Sequence, residues 1–404
     1  MRRAIFPIFL VFWITLAVAG SAAAQVQRLE TKVDHNIGES IEFTASFVSD
    51  RSVGAAVVYF QAEGDSRWNV GFAKLNKPGR DRYLAAYTHP ISEYMIQPFS
   101  SLSYYWELYY TDQELFTSPA EEYTYDDDRF DWQVVERDSI QVHWYHGDRQ
   151  FAEDMVDFAK KGNEEIQQIL PLPEAGDLDI YIYSDAEALQ AALLKGSTDW
   201  VAGHADPRLG VIAIALPEVP EQRLLAEQRI PHELVHILLY RYTKVGYQNM
   251  PAWLSEGLAS SAELYPNPDY RFILMEASRN GNLLPLTSLC TDFQNDTSPV
   301  LLSYAESLSF VKYLHGRYGT PGLQALITTY TNGWDCESGA EQALGRSLSQ
   351  LEKTWQRDLT MQDNLASPAA SFLPWVVVFL AVLVAPLLMV VYKISIRQTH
   401  PQGK

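Results

Sequence analysis

Two histidines and the glutamate next to the first of them could bind and activate a metal ion. His232 and His236 lie four residues apart in the segment His-Glu-Leu-Val-His. On an α-helix this spacing points both imidazoles the same way, about 6 Å apart along the axis, as one tetrahedral Zn²⁺ requires. Glu233 could accept a proton from a metal-bound water without binding the metal itself. The segment therefore predicts a zinc site with its own catalytic base.

A catalytic zinc ion normally has three protein ligands, so the sequence must supply one more. The candidate is Glu256, in a helix predicted from Ala252 to Leu264 behind Pro251. Trp253, three residues earlier, is expected to pack into the core. The histidine helix is expected to begin near Pro231, whose missing N–H costs nothing in a first turn. Two antiparallel helices joined by a short turn would bring the carboxylate to the imidazoles.

Other interpretations of the motif stay open. The histidines could form hydrogen bonds in an amphipathic core helix, or the site could bind zinc without catalysis. With nine histidines in 404 residues, however, a chance H-E-x-x-H is rare. A purely structural site would also have no need of Glu233. The enzyme interpretation is therefore favoured.

The motif and the segment Pro251-Ala-Trp-Leu-Ser-Glu-Gly-Leu-Ala259 resemble the gluzincin zinc metallopeptidases, in the peptidase MA-like family of the thermolysin-like clan. The resemblance covers about Ile140 to Leu359, including a later segment from Tyr304 to Gly319. It implies a thermolysin-like, mixed α/β catalytic domain with one Zn²⁺ per chain. In that domain Glu233 is general base and acid, and the metal ligands are His232, His236 and Glu256.

The resemblance also implies weaker site residues. Tyr304 is the first choice as donor to the tetrahedral oxyanion, although a surface tyrosine is an equal alternative. Residues 210–216 are expected to form the cleft-edge strand that pairs with substrate. The related aminopeptidases carry G-x-M-E-N, which this chain lacks, so endopeptidase action is favoured. Ser260 stands where thermolysin-like enzymes often place an acidic partner for a histidine ligand. Weaker donor or cleft candidates are Tyr240, Tyr242, His315 and His204.

The predicted reaction is peptide hydrolysis, in which Zn²⁺ lowers the pKa of its water and Glu233 moves the proton to the leaving amine. The alternative is a non-catalytic surface binding or adhesion protein with a structural zinc site. Substrate, cleavage specificity and oligomeric state stay open.

Both ends of the chain predict export and membrane attachment. Residues 1–24 have the charged start, apolar stretch and small-residue cleavage site of a signal peptide. Residues 372–392 carry no charged side chain and are long enough for a transmembrane helix. A stalk (361–371) would precede this helix and a basic cytoplasmic tail (393–404) would follow it. The prediction is a single-pass protein of the plasma membrane, held in the lipid bilayer by the C-terminal helix, with its ectodomain outside.

Composition agrees with export. The formal net charge of −19 disfavours nucleic acid and anionic lipid headgroups as partners. The two cysteines, Cys290 and Cys336, could form one disulfide or stay as buried thiols, and spacing does not decide between them.

The predicted fold class is α+β, with two folded domains. Residues 25–128 alternate apolar and polar side chains between frequent turns, which predicts an immunoglobulin-like β-sandwich whose role stays open. The aromatic run Tyr104–Tyr110 could form a binding platform, but core and cross-strand packing is favoured. Residues 129–360 alternate strands and helices and then become helical, and they form the predicted metallopeptidase domain.

Overall fold

The structure is a computed structural model that describes residues 26–193, 203–291, 293, 300–361, 375 and 378–384. The chain divides into two compact units, Met1–Asp127 and Asp128–Lys404. Sheets dominate the N-terminal part and helices the C-terminal part, so the protein is α+β.

The first unit consists of two antiparallel sheets in its described part. One has the strand order β1-β2-β6-β5, and the other has β4-β3-β7-β8 with β9 also paired to β7. The strands are β1 Gln27–Asn36, β2 Ser40–Val48, β3 Val53–Ala62, β4 Asn69–Phe72, β5 Lys74–Asn76, β6 Arg82–Pro90, β7 Ser100–Tyr110, β8 Leu115–Thr117 and β9 Glu121–Tyr125.

The two-residue period of a strand divides the aromatic run of β7 between two faces. Tyr104 and Trp106 are buried, and the core between the sheets includes the stacked rings of Phe43 and Phe60, 4.9 Å apart. Tyr105 is half-buried on the other face, where it stacks on Tyr59 of β3. The aromatic run therefore supplies both core and cross-strand pairs.

The second unit contains a sheet with the order β10-β11-β12-β14-β13, followed by helices. The inner strands β11, β12 and β14 are parallel, and the outer strands β10 and β13 pair antiparallel to their neighbours. The elements are β10 Gln133–Arg137, β11 Ile140–Trp144, α1 Arg149–Ile169, β12 Leu178–Tyr183, α2 Ala186–Leu193, β13 Gly203–Asp206, β14 Val211–Ala215, α3 Gln222–Thr243, α4 Ala252–Ser261, α5 Asp269–Asn280, α6 Val300–Thr331, α7 Cys336–Leu344 and α8 348–361. Short 3₁₀ turns occupy Lys244–Asn249 and Leu286–Leu289, and α6 breaks at Gly319.

The prediction that residues 210–216 form the edge strand is wrong. That segment is β14, which lies between β12 and β13, and each of its residues is buried. A continuous apolar strand is typical of the middle of a sheet that is covered on both faces. Among the described residues, the strand at this edge of the sheet is β13.

The transmembrane helix over residues 372–392 is the part of the predicted fold class that the structure contradicts. No helix among the described residues is long and apolar enough to cross a membrane. Within that span only residues 375 and 378–384 are described, and they are helical. The predicted signal peptide (1–24) and tail (393–404) lie outside the described residues, as does the stalk after residue 361.

Cys290 and Cys336 form a disulfide, with their Cα atoms 6.0 Å apart. Cys290 follows the second 3₁₀ turn, and Cys336 is the first residue of α7. The carbonyl of Cys290 accepts a hydrogen bond from the N–H of Ala252, the first residue of α4. The covalent link therefore also holds the segment that supports the start of α4.

We expect the double substitution Cys290→Ser/Cys336→Ser to lower the free energy of unfolding by about 2–4 kcal/mol, because a cross-link over 46 residues restricts the unfolded chain. Urea unfolding followed by circular dichroism measures the change. Wild-type protein unfolded in a reductant is the control and should match the variant. Equal midpoints for oxidised wild type and variant would contradict the expectation.

Glu306 of α6 is fully buried, and burial raises the pKa of its carboxyl to about 8, with the charge of Glu352 adding to the shift. Between an unfolded pKa near 4.5 and about 8, the folded chain keeps a proton that the unfolded chain releases. The stabilising effect of that proton is complete below the lower value and is lost as the pH rises through the upper one. Glu306→Gln keeps an oxygen that can accept the N–H of Leu284 but removes the titration.

We therefore expect Glu306→Gln to become more stable relative to wild type as the pH rises from 5 to 9, by up to about 4 kcal/mol. Melting temperatures of the two proteins across that range give the measurement. The same substitution at exposed Glu341 is the control and should show no such trend. If the difference in melting temperature between Glu306→Gln and wild type stayed constant across this pH range, the titration assigned to Glu306 would be refuted.

Candidate metal centre

Helix α3 carries both histidines, but it does not begin at Pro231 as predicted. It runs from Gln222 to Thr243 and includes this proline. Proline has no N–H for the carbonyl four residues earlier, which belongs to Glu227. That carbonyl instead accepts the N–H of Leu264, at 3.0 Å. The proline ring also packs closely on Gly162 of α1. A Cβ added to Gly162 would lie 2.5 Å from the Cβ of Pro231.

Helix α4 supplies the third candidate ligand. It begins after Pro251, as predicted, but ends at Ser261 rather than Leu264. Trp253 is fully buried and packs edge-on against Phe310 of α6, with ring centroids 5.0 Å apart. Gly257 brings the two helices into close contact, since a Cβ there would lie 2.5 Å from the backbone oxygen of Ser307. Its neighbour Glu256 consequently faces α3.

The structure brings the side chains of His232, His236 and Glu256 together. One carboxylate oxygen of Glu256 lies 3.2 Å from Nε2 of His232 and 3.7 Å from Nε2 of His236. The three possible ligand atoms all lie within 4.8 Å of one another, so they could hold a metal ion. Two imidazole nitrogens and one carboxylate oxygen match the donor set of a catalytic zinc site.

The other nitrogen of each imidazole already has a partner, which leaves both Nε2 atoms for a metal. Nδ1 of His232 lies 3.1 Å from Oε1 of Glu263, and Nδ1 of His236 lies 3.0 Å from the hydroxyl of Tyr247. Such partners set the tautomer and orientation of metal-binding histidines. The donor set and the placement of these partners at Nδ1 both fit a zinc ion bound at the two Nε2 atoms.

Neither Glu263 nor Tyr247 was found by sequence reasoning, which looked for a carboxylate at Ser260. Glu263 lies seven residues after Glu256, and a seven-residue spacing returns to the same face of a helix after two turns. The seven-residue spacing from Glu256 could therefore have pointed to Glu263 as a second carboxylate near the histidines. Tyr247 lies in the 3₁₀ turn after α3, and no periodicity relates it to the histidines.

Charge at the site favours an ionised carboxylate beside the imidazoles. Burial alone would lower the pKa of His232, but hydrogen bonds to Glu256 and Glu263 outweigh it and hold this pKa well above its usual range. Burial alone would raise the pKa of Glu256, but the two imidazoles reverse the effect and lower it. In this environment Glu256 stays a carboxylate, which is the form that binds a metal ion.

Glu233 lies on α3 beside the edge of the sheet. A Cβ built on Gly203 of β13 would lie 2.6 Å from its Oε1 atom, so the carboxylate occupies space that only a glycine leaves open. Arg229 lies one turn earlier on α3 and interacts electrostatically with Glu233. Its guanidinium donates a hydrogen bond to the carbonyl of Ala215, at the end of β14.

Tyr304 of α6 also reaches the centre, with its ring centroid 5.9 Å from that of His232 in an edge-on arrangement. Burial, followed by the charges of Glu256 and Glu233, raises the pKa of its hydroxyl, so the group stays protonated and can donate. Of the weaker candidates, His204 lies in β13 and Tyr240 packs on Tyr247. The side chain of Tyr242 is exposed, and no contact places His315 at the centre.

Similarity to solved structures is low. A myokine structure is 13% identical, over 26% of this chain and 98% of that one, with a TM-score of 0.19. OgpA from Akkermansia muciniphila is 15% identical over 26% of this chain, which spans 30% of that protein, with a TM-score of 0.18. A purple acid phosphatase from yellow lupin (Lupinus luteus) is 9% identical over 38% and 28% of the two chains, with a TM-score of 0.21. No curated protein matches the chain.

A family model gives a clearer result. Residues 172–361 match the model of the Peptidase MA superfamily. The matched region contains α3, α4 and α6, which carry His232, His236, Glu256, Glu233 and Tyr304. The match supports placing this part of the chain in a peptidase MA-like family, whose members are typically metal-dependent.

Proposed function

We propose that this protein is a zinc-dependent metallopeptidase that hydrolyses peptide bonds within protein chains, with Glu233 as general base. The observation that carries the proposal is the convergence of His232, His236 and Glu256, with both Nδ1 atoms hydrogen-bonded elsewhere and the charge of Glu233 acting on His232. Three protein ligands leave the fourth position of a tetrahedral zinc ion for water or substrate, as catalysis requires.

A bound zinc ion would supply Lewis-acid chemistry, because it lowers the pKa of a coordinated water and polarises the substrate carbonyl. Side chains of this chain carry out the proton transfer and stabilise the developing charge. Glu233 takes a proton from the attacking water and passes it to the leaving amine. The glycine at position 203 leaves room for this carboxylate beside the edge strand, and the positive charge of Arg229 interacts with it.

Tyr304 is proposed as the donor to the oxyanion that develops on the substrate. Its ring lies beside His232, and its raised pKa keeps the hydroxyl proton in place at neutral pH. A hydrogen-bond donor that is already oriented in a site shielded from water stabilises developing charge strongly.

The substrate is proposed to bind as an extended strand along β13. Among the described residues β13 pairs on one side with β14 and ends the sheet on the other. A peptide added to such an edge gains main-chain hydrogen bonds with little dependence on sequence. Because Gly203 of this strand lies against Glu233, a peptide bound there would pass close to the proposed base.

The proposed place of action is outside the cytosol. The Cys290–Cys336 disulfide supports it, because disulfides persist in oxidising compartments and are rare in the cytosol. Location at the plasma membrane stays a prediction.

We expect Glu233→Gln to reduce hydrolysis of an unfolded protein substrate by about 10²–10⁴-fold, since the base is lost, while zinc content stays at one ion per chain. Turnover and metal analysis of the same preparation give the two readings. Glu221→Gln, at the exposed start of the same helix, is the matched control and should keep full activity. Equal turnover by Glu233→Gln would refute the role of the base, and zinc without turnover in wild type would favour the binding-protein alternative.

For Tyr304→Phe we expect kcat to fall by about 10²-fold with little change in KM, because the hydroxyl acts on the transition state. Steady-state kinetics on a peptide found with the wild-type enzyme test this. Tyr313→Phe removes a hydroxyl from the same helix, where the ring stacks on Phe310, and should leave kcat unchanged. A wild-type kcat in Tyr304→Phe would exclude the hydroxyl from catalysis.

A further inference from the structure

We infer that Tyr247 is a positioning residue for His236, the second histidine ligand. The conformation of the 3₁₀ turn Lys244–Asn249 holds the phenol of Tyr247 against this histidine. The inference rests on the proposed metal site and extends it to a residue outside both sequence motifs. It concerns the orientation of His236 and not the chemical step.

The contact itself is specific. The hydroxyl of Tyr247 lies 3.0 Å from Nδ1 of His236, whose side chain is only 13% exposed. When the phenol oxygen accepts the Nδ1–H, the imidazole is fixed as the tautomer with a free lone pair on Nε2. That Nε2 atom is the one that faces Glu256, 3.7 Å away. The phenol therefore selects the form of His236 that can bind a metal ion.

The backbone that carries Tyr247 is held in an unusual shape. Lys244, where α3 ends, has φ 53° and ψ −128°, in the region of positive φ that favours glycine. Two residues later, Gly246 packs against the end of α6, and a Cβ there would lie 2.6 Å from Cβ and 2.8 Å from the carbonyl oxygen of Thr331. Strained residues of this kind persist where the surrounding structure determines the conformation, and they cluster at functional sites.

Tyr247 is thus fixed from two directions. The strained backbone at the end of α3 sets the direction in which the turn leaves the helix. The close packing of Gly246 on Thr331 fixes the turn against the end of α6. Its ring also packs edge-on against Tyr240, with centroids 5.9 Å apart. Because α3 carries His236 as well, the turn returns the phenol to a residue eleven positions earlier in the chain.

The two histidines consequently have unequal partners. His232 faces the carboxylate of Glu263, which is 1% exposed, whereas His236 faces a neutral phenol. A carboxylate makes a stronger hydrogen bond to Nδ1–H and makes the ligand nitrogen more basic, whereas a phenol orients the ring without adding charge. We therefore expect loss of the Glu263 carboxylate to weaken metal binding more than loss of the Tyr247 hydroxyl.

The test is zinc affinity of the full chain, measured by competition with a chromophoric chelator. Tyr247→Phe should bind Zn²⁺ about tenfold more weakly than wild type, and Glu263→Gln should be weaker still, within the roughly 10–100-fold range for such partners. Tyr240→Phe removes a hydroxyl from the adjoining ring and should bind as wild type does. Metal-free melting temperatures of Tyr247→Phe and Tyr240→Phe should agree with wild type, which separates metal binding from folding.

A second pair of variants tests the turn without touching the phenol. Gly246→Ala should weaken zinc binding in the same direction as Tyr247→Phe, because the added Cβ cannot fit against Thr331. Gly316→Ala, on the exposed side of α6 with open space around it, should leave the affinity unchanged. With Co²⁺ in place of zinc, Tyr247→Phe should alter the visible absorption bands, which report ligand geometry.

Two outcomes are distinguishable. If the wild-type chain binds no zinc, the proposed function fails and this inference fails with it. If wild type binds zinc and Tyr247→Phe has the same affinity and the same Co²⁺ spectrum, only the role of Tyr247 is overturned.

Discussion

One carboxylate oxygen of Glu256 lies within 3.7 Å of the Nε2 atoms of two largely buried imidazoles, and the candidate metal centre depends on keeping it there. A buried carboxylate is unfavourable unless opposite charge or hydrogen-bond donors surround it. Here the imidazoles serve that purpose, and they lower the pKa of Glu256 in spite of its burial. The arrangement requires α3 and α4 to lie close together, while Gly257 allows α4 to pack closely on α6 as well.

Pro231 links the geometry of α3 to the surroundings of its histidines. An ordinary residue at this position would donate its N–H to the Glu227 carbonyl, four residues earlier. Because proline cannot, that carbonyl accepts the N–H of Leu264 and holds the segment after α4 against α3. The residue before Leu264 is Glu263, the partner of His232. One missing N–H within a helix thus helps to place the carboxylate that contacts a candidate metal ligand, His232.

The two imidazoles are held by elements of different kinds. Glu263 follows the ligand helix α4, whereas Tyr247 comes from a strained turn between α3 and α4. A third element, edge strand β13, contacts the proposed base, because its Gly203 lies against Glu233. The proposed base therefore lies between the sheet edge and the candidate metal ligands, as the proposed cleavage of an extended peptide would require.

Sequence alone was sufficient for those parts of the centre that depend on local periodicity. The four-residue spacing of His232 and His236 and the helix behind Pro251 follow from the geometry of one or two turns. Alternation along β7 likewise predicted strands, because a strand reverses its face at each residue. Gly203 and Tyr247 could not be found this way, since their roles arise from elements that meet only in the folded chain. The order β12-β14-β13 was missed for the same reason, because an apolar segment such as 211–215 does not reveal which strands flank it. Local spacing determined which side chains could bind a metal ion, and tertiary packing decided which groups orient them and which strand forms the edge of the sheet.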